Sequence, residues 1–358
     1  MRRFYLLGAL IIGLLTAGAG CLQFGGNTGA GPMGMYQSAD KGETWKPIAA
    51  LPTLQGVKSI SAVNVYRLHT DPSDSNAIYI ASRGQGVFYS LDYGASWQGV
   101  AAMNGKFIYG LAVDPKDKCT VFISDGAHIY KTTDCLRTFD TIYTEERPDQ
   151  RMVSVSVDYG NSNLIYAAEL GGDVLSSNDA GKSWRVTKRF GFQLQYLESD
   201  KFRPGRVWVA AYQNGLYLSD NGTDWNDLSP GLENFTDGKK FYRLVLNPGK
   251  KDSVFWVSKY GILQSSDAGN NWTEMKLITP PGSVNIYGFA VNPKNQNEMY
   301  YTGTILGDKN VHVRSTFYKT TDGGKNWVTK KLPTNTIPTW ILINPDKDNV
   351  VSMGFATL

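Results

Sequence analysis

Seven times along the chain one eight-residue phrase recurs: Ser or Thr, any residue, Asp, any residue, Gly, two further residues, then Trp. The first copy is Ser38-Ala39-Asp40-Lys41-Gly42-Glu43-Thr44-Trp45, and four more clean copies end at Trp97, Trp184, Trp272 and Trp327. Two copies are degraded. In Thr132 to Phe139, Leu136 stands for the Gly and Phe139 for the Trp, and Ser219 to Trp225 is one residue short. A phrase repeated over nearly the whole chain restricts it to repeat architectures, in which each unit buries its apolar face only against its neighbours.

A second phrase interleaves with the first. An apolar stretch ends in an Asp/Asn-Pro turn or a relative of it, at Asp71-Pro72, Asp114-Pro115, Asp158-Tyr159, Asp200-Lys201, Asn247-Pro248, Asn292-Pro293 and Asn344-Pro345. The starts lie 42 to 52 residues apart, which suits a propeller blade of about 40–50 residues. Within the first full unit, Val63 to Thr70 reads as inner strand A, Ala77 to Ser82 as B, a turn at Gly84-Gln85-Gly86, Val87 to Ser90 as C, and D begins at Trp97. The chain opens on a lone Asp phrase and closes on a lone A–B pair, Trp340 to Ile343 and Val350 to Phe355. The two fragments complete one blade. The expectation is therefore an all-β fold, a single seven-bladed propeller of four-stranded antiparallel blades over 36–358. N-terminal outer strands close the ring on C-terminal inner strands and remove the open sheet edge.

Ser-x-Asp-x-Gly-x-x-Trp resembles the Asp-box, or BNR repeat, found in sialidases, sortilin-type receptor domains, xyloglucanase-type glycoside hydrolases and photosystem II assembly factors of the Ycf48 type. The resemblance covers nearly the whole chain after residue 35. It implies a propeller and leaves function open. The turn has a mechanical explanation: hydroxyl and carboxylate accept turn N–H groups, Gly permits positive φ, and Trp packs the hairpin onto its own blade. In the family these turns lie away from the functional face, so Asp40, Asp92, Asp134, Asp179, Asp220, Asp267 and Asp322 are expected to be structural.

Residues 1–20 read as a signal peptide: Arg2 and Arg3, an apolar run Phe4 to Leu15, then small residues before Cys21. The pattern is similar to a prokaryotic lipoprotein signal. It implies acylation of Cys21 and an extracytoplasmic protein lipid-anchored to the cell-envelope membrane. An ordinary secretory signal or an uncleaved anchor are the other readings. Residues 21–35 are Gly-rich and read as a tether. Cys119 and Cys135 flank a hairpin turning near Gly126; spaced equally from the turn, they are expected to stand directly opposite on neighbouring strands and to form a disulfide, two buried thiols being the alternative. With Arg2 and Arg3 set aside, 34 basic face 32 acidic side chains, too weak a field for nucleic acid. One propeller implies a monomer.

Five residues before the Asp/Asn turn stand Tyr66, Tyr109, Tyr242 and Tyr287, with Val153 in the third unit; Tyr196 and Trp340 fall one residue nearer their turns. They are expected either to pack blade against blade or to form an aromatic collar at the channel mouth. The B–C loops offer Arg83, His128, Tyr260 and, on a long insertion from Thr304 to Thr316, Arg314. Asp125, Glu169, Asp173, Glu198 and Asp308 are carboxylates on the same loops and strands, without a visible pairing. No metal-ligand, nucleophile-elbow or phosphate-loop motif occurs, so no catalytic residue, metal or cofactor is expected. The leading expectation is non-catalytic binding of a protein or glycan partner, in a scaffold or assembly role. A sialidase- or xyloglucanase-like glycoside hydrolase, which requires a carboxylate pair, is the alternative.

Overall fold

The computed structural model describes residues 32–357, and among them strands gather into seven four-stranded antiparallel sheets and one separate two-stranded hairpin. The sheets are the blades of a seven-bladed propeller. Blade 1 runs Val65–Thr70, Ile78–Ser82, Val87–Ser90 and Gln98–Gly99 as strands A to D. The A strands of blades 2 to 7 are Gly110–Asp114, Met152–Val157, Leu194–Ser199, Phe241–Leu246, Phe289–Val291 and Ile337–Ile343. Strands such as Ile78–Ser82 and Val254–Ser258 are buried at every position. Each middle strand lies between two neighbouring blades, which accounts for continuous apolar runs where an open sheet would alternate.

Blade 7 closes the ring as the repeat count requires. Its B strand, Val351–Ala356, pairs with the N-terminal strand Gly34–Ser38 in the order Gly34↔Phe355, Tyr36↔Met353 and Ser38↔Val351. Lys46–Pro47 forms the outermost strand. Gly34 and Met35, assigned to the tether from the sequence, thus belong to the seam, and Met35 is fully buried. The expected signal peptide, Cys21 and most of the tether lie outside the described residues.

Both repeated phrases are hydrogen-bonded turns. The side chain of each of the seven Asp/Asn residues at the A–B turns accepts the N–H two residues on, from Ser73 on Asp71 (2.7 Å) to Asp346 on Asn344 (2.8 Å). At the Asp phrase, Asp92 Oδ1 takes the Ser96 N–H at 2.8 Å and its Oδ2 the Ser96 hydroxyl, while Ser90 Oγ takes the Gly94 N–H. The same geometry recurs at Asp40, Asp134, Asp179, Asp267 and Asp322. Donation from Ser38 and Ser183, with the turn N–H groups, pulls Asp40 and Asp179 down to about 2. These are carboxylates engaged in turns.

Four expectations need correction. Asp220 is not the turn acceptor of its copy. The missing residue lies between the acid position and Gly222, so Asn221 occupies that position and takes the N–H groups of Thr223 and Asp224. Asp220 instead pairs with Arg206 at 2.6 Å. The Trp side chains do not serve only their own blade. The indole N–H groups of Trp97, Trp184 and Trp327 donate to Ile48, Ile142 and Lys276, on or beside the outer strand of the preceding blade. An outermost strand carries unpaired carbonyls, and a donor-only indole needs one. Thr304 to Thr316 is less a loop than an extension of strands Met299–Leu306 and His312–Thr320, paired as far as Leu306↔His312. Cys135 lies beyond the end of its strand, in the Asp turn at φ 58°, not opposite Cys119 within a ladder. The two are joined by a disulfide all the same, beside the one copy that carries Leu136, at φ 68°, in place of Gly.

Candidate functional site

The inner strands set the channel. The residue five before each A–B turn is, around the ring, Tyr66, Tyr109, Val153, Gln195, Tyr242, Tyr287 and Thr339. All seven line one cavity of about 420 Å³ at the channel mouth. In five blades this position is the extra residue of a register shift at the strand's start, between Val65 and Arg67, Met152 and Ser154, Leu194 and Tyr196, Phe241 and Arg243, or Pro338 and Trp340. A bulge re-aims the side chain it carries, here toward the mouth.

The next position is the waist: Arg67, Gly110, Ser154, Tyr196, Arg243, Gly288 and Trp340. Three small residues leave room in this layer for the four large ones to reach across. Arg67, 7 % exposed, donates to the carbonyls of Tyr109 (2.8 Å), Val153 (3.2 Å) and Gln195 (3.0 Å), and so links four blades. It stacks between Tyr66 and Tyr196 at 4.9 and 5.0 Å. Arg243, 8 % exposed, donates to the carbonyls of Tyr287 (2.8 Å) and Thr339 (2.7 Å) and lies 3.5 Å from the Trp340 ring centroid. Neither has a carboxylate within ion-pair distance among the described residues. Burial, aggravated by Arg67, pushes Arg243 down to about 9, so its guanidinium is charged at neutral pH.

Arg83 and Arg151 complete the basic lining of the mouth, and Arg83 rests 5.5 Å from the Tyr66 ring centroid. Among the described residues, the mouth holds four arginines and no carboxylate. Of the residues singled out from the sequence, it brings together Tyr66, Arg83, Tyr109, Tyr242, Tyr287 and Trp340. Tyr196 lies deeper, its hydroxyl on Glu198 at 3.2 Å. His128 faces Asp125 at 3.3 Å on an outer loop, Tyr260 lines a separate rim cleft with Pro280 and Pro281, and Arg314 lies exposed on the long hairpin of blade 6. Arg67, Arg151 and Arg243 escaped sequence reasoning. For Arg67 and Arg243 the pointer was available: each follows a collar Tyr, four residues before its turn.

Beyond the waist, His69 and Glu198, both two residues before their turns, line a lower cavity of about 240 Å³. His69 Nε2 has no partner and no solvent, and burial, with Arg67 and Arg243 adding to it, pushes it down to about 3. Burial pushes Glu198 up to about 7. Between pH 3 and 6.5 the unfolded chain binds the His69 proton and the folded one does not, so stability rises with pH there. For Glu198 the folded chain holds the proton longer, so stability falls from pH 4.5 to 7. Each contribution is expected to change stability by at most about 1.4 kcal/mol per pH unit within its window. Urea unfolding across pH checks this: His69→Gln should flatten the acid limb and Glu198→Gln the neutral limb, and unchanged limbs would refute the assignment.

Asp125 pairs with Lys106 at 2.6 Å. Glu145, Glu169 and Asp173 surround Arg147 at 2.8, 3.1 and 3.6 Å. Among the described residues, no group of three or more His, Cys, Asp or Glu is placed to hold a metal ion.

No protein-family model matches this chain, and no curated protein matches it. Solved structures match in fold. A GH74 xyloglucanase from Xanthomonas campestris is 15% identical with a TM-score of 0.64, over 87% of this chain and 52% of that one, so the chain spans about half of that enzyme. YCF48 bound to D1 peptide is 15% identical with a TM-score of 0.59, over 83% of this chain and 93% of that one. YCF48 from Cyanidioschyzon merolae is 11% identical with a TM-score of 0.60, over 82% and 96%.

Proposed function

We propose that this propeller is a binding module, held at the envelope membrane through Cys21, that takes an anionic segment of a partner protein into the mouth of its channel. The observation that carries this reading is the lining itself: Arg67, Arg83, Arg151 and Arg243 beside Tyr66, Tyr109, Tyr242 and Tyr287, with no acid among them. Guanidiniums stacked on aromatic rings are held in place before a ligand arrives, which lowers the ordering cost of binding. Arg83 and Arg151 stand toward the opening and would meet a carboxylate or a run of acidic side chains. A ring of this fold in YCF48 is bound to a peptide, and the present chain spans nearly the whole of that protein, in keeping with a single propeller that acts by holding.

The hydrolase alternative has less support. Retaining and inverting glycosidases need two carboxyl groups about 5–10 Å apart in a groove. The mouth offers none, Asp71, which shares a cavity below the waist with Glu198, accepts from Ser73 in its own turn, and Glu145, Glu169 and Asp173 are gathered around Arg147.

The test is retrieval of partners from the envelope by the wild type and by the Arg83→Glu/Arg151→Glu variant. Charge reversal at both positions should weaken the retained protein on the order of 10–100-fold, and added salt should weaken wild-type binding. Undiminished binding by the variant would refute the role of the mouth. Recovery of glycan alone, shortened over time, would establish the hydrolase instead.

A further inference from the structure

One element serves no blade. The hairpin Ala50–Thr53 with Gly56–Ser59 forms its own two-stranded sheet between the outermost strand of blade 7 and strand A of blade 1. It meets the ring near its foot, where Trp97 N–H donates to the Ala50 carbonyl (2.8 Å) and Leu51 packs against the apolar cluster around Trp97. Its far end turns at Leu54-Gln55, and the return strand Gly56–Ser59 is exposed at all four positions. Leu54 is fully exposed and Val57 is 73 % exposed. Two large aliphatic side chains at the end of a short hairpin add nothing to the ring's core. A two-stranded hairpin is marginal by itself, so a chain that keeps its tip apolar exposes it to something.

Two independent observations point to a lipid surface. The first is charge. From Lys46 to Thr70 the sequence holds no acidic residue; Lys58 lies beside Val57 on the return strand, and Lys46 stands four residues before the hairpin begins. Aliphatic tips framed by lysines fit the interface of an anionic bilayer, where side chains enter the acyl boundary and ammonium groups stay among phosphates. The second is connectivity. The chain enters the ring at the foot of this hairpin, with Met33 N–H on the Ser61 carbonyl (2.8 Å) and Gly34 N–H on the Val63 carbonyl (3.1 Å). The residues before that point include the apolar run Phe4 to Leu15 and Cys21. Eleven residue steps from Cys21 to Pro32 span at most about 36–40 Å.

We propose that Leu54 and Val57 dock this edge of the propeller on an anionic membrane, with Lys46 and Lys58 on its headgroups. The contact would turn a loose attachment into a fixed orientation, since a body held at two points cannot tumble about one. It rests on the reading that the N-terminal segment meets the membrane, and not on what the channel mouth binds. The long hairpin of blade 6 also exposes apolar residues, Val311 and Val313, among Asp308, Lys309 and Arg314, but it does not adjoin the point where the chain enters the ring, so it supplies a control.

The test uses the full chain on vesicles of phosphatidylcholine alone or with phosphatidylglycerol, read by hydrogen exchange along the sequence. Amides of 50–59 should exchange about fivefold or more slowly on the anionic vesicles. That protection should vanish in Leu54→Ser/Val57→Ser and persist in Val311→Ser/Val313→Ser. All four positions are exposed, and unchanged exchange over Val87–Ser90 would show that the ring remains folded. Equal exchange on both vesicles, or equal protection in the Leu54/Val57 variant, overturns the proposal. Protection that appears only when envelope proteins are added overturns it too, in favour of a protein contact.

Discussion

Replacing Trp97 by Ala is expected to lower the stability of the propeller by about 3–5 kcal/mol, the range for truncating a large buried aromatic side chain. Trp97 has no exposed surface and packs with Ile48, Ile80 and Tyr93. Its indole N–H holds the Ile48 carbonyl at 2.8 Å, so truncation leaves both a cavity and a buried carbonyl without its donor, and the two costs add. The side chain belongs to blade 1 and its acceptor to blade 7, at the seam, so the damage is to a blade–blade joint. Trp97→Phe keeps most of the volume and removes the donor, and should cost about 1–3 kcal/mol. Denaturant unfolding of the two variants separates the parts. A loss below about 1 kcal/mol for Trp97→Ala would mean that the turn, and not the joint, is what this residue serves.

The architecture was legible because it is written in turns. An Asp or Asn whose side chain must accept a backbone N–H two residues on is a local requirement, and all seven such positions behaved alike. The count of seven, the strand order and the split last blade follow from them. The errors arose where geometry is not local. Asp220 was read by identity, whereas a one-residue deletion moved the acceptor role to Asn221. A sequence does not show which strand edge has a free carbonyl, so the indoles read as serving their own blades. The mouth was half legible for the same reason. Tyr66, Tyr109, Tyr242 and Tyr287 stand at a fixed distance from their turns and line the opening together. Gln195 and Thr339 occupy the equivalent position in blades 4 and 7, and the larger Tyr196 and Trp340 beside them drew attention away. Arg67 and Arg243 are hidden from sequence reading because an arginine inside an apolar strand reads as a surface residue. Only the closed ring shows the opposite carbonyls that make its burial tolerable.

Phe355→Ala is expected to cost about 3–5 kcal/mol and to change how the ring opens as well as how firmly it holds. Phe355 is fully buried, meets Tyr36 edge-on at 5.4 Å, and stands opposite Gly34 in the one ladder that joins the two ends of the chain. In the other six blades consecutive strands are joined by short turns, so a frayed pair remains tethered and finds its partner quickly. At the seam the partners are separated by the rest of the ring, and a lost contact is restored only by closing a very long loop. Phe255 provides the comparison: it is 1 % exposed in the B strand of blade 5, within an unbroken blade. Phe255→Ala should cost a similar amount and leave the seam amides protected. Phe355→Ala should let Gly34–Ser38 exchange well before global unfolding and, by freeing an unpaired strand edge, promote association of the chains. Seam amides that exchange no earlier in Phe355→Ala than in Phe255→Ala would mean that the junction is no weaker than any other blade, and that the ring opens as a whole.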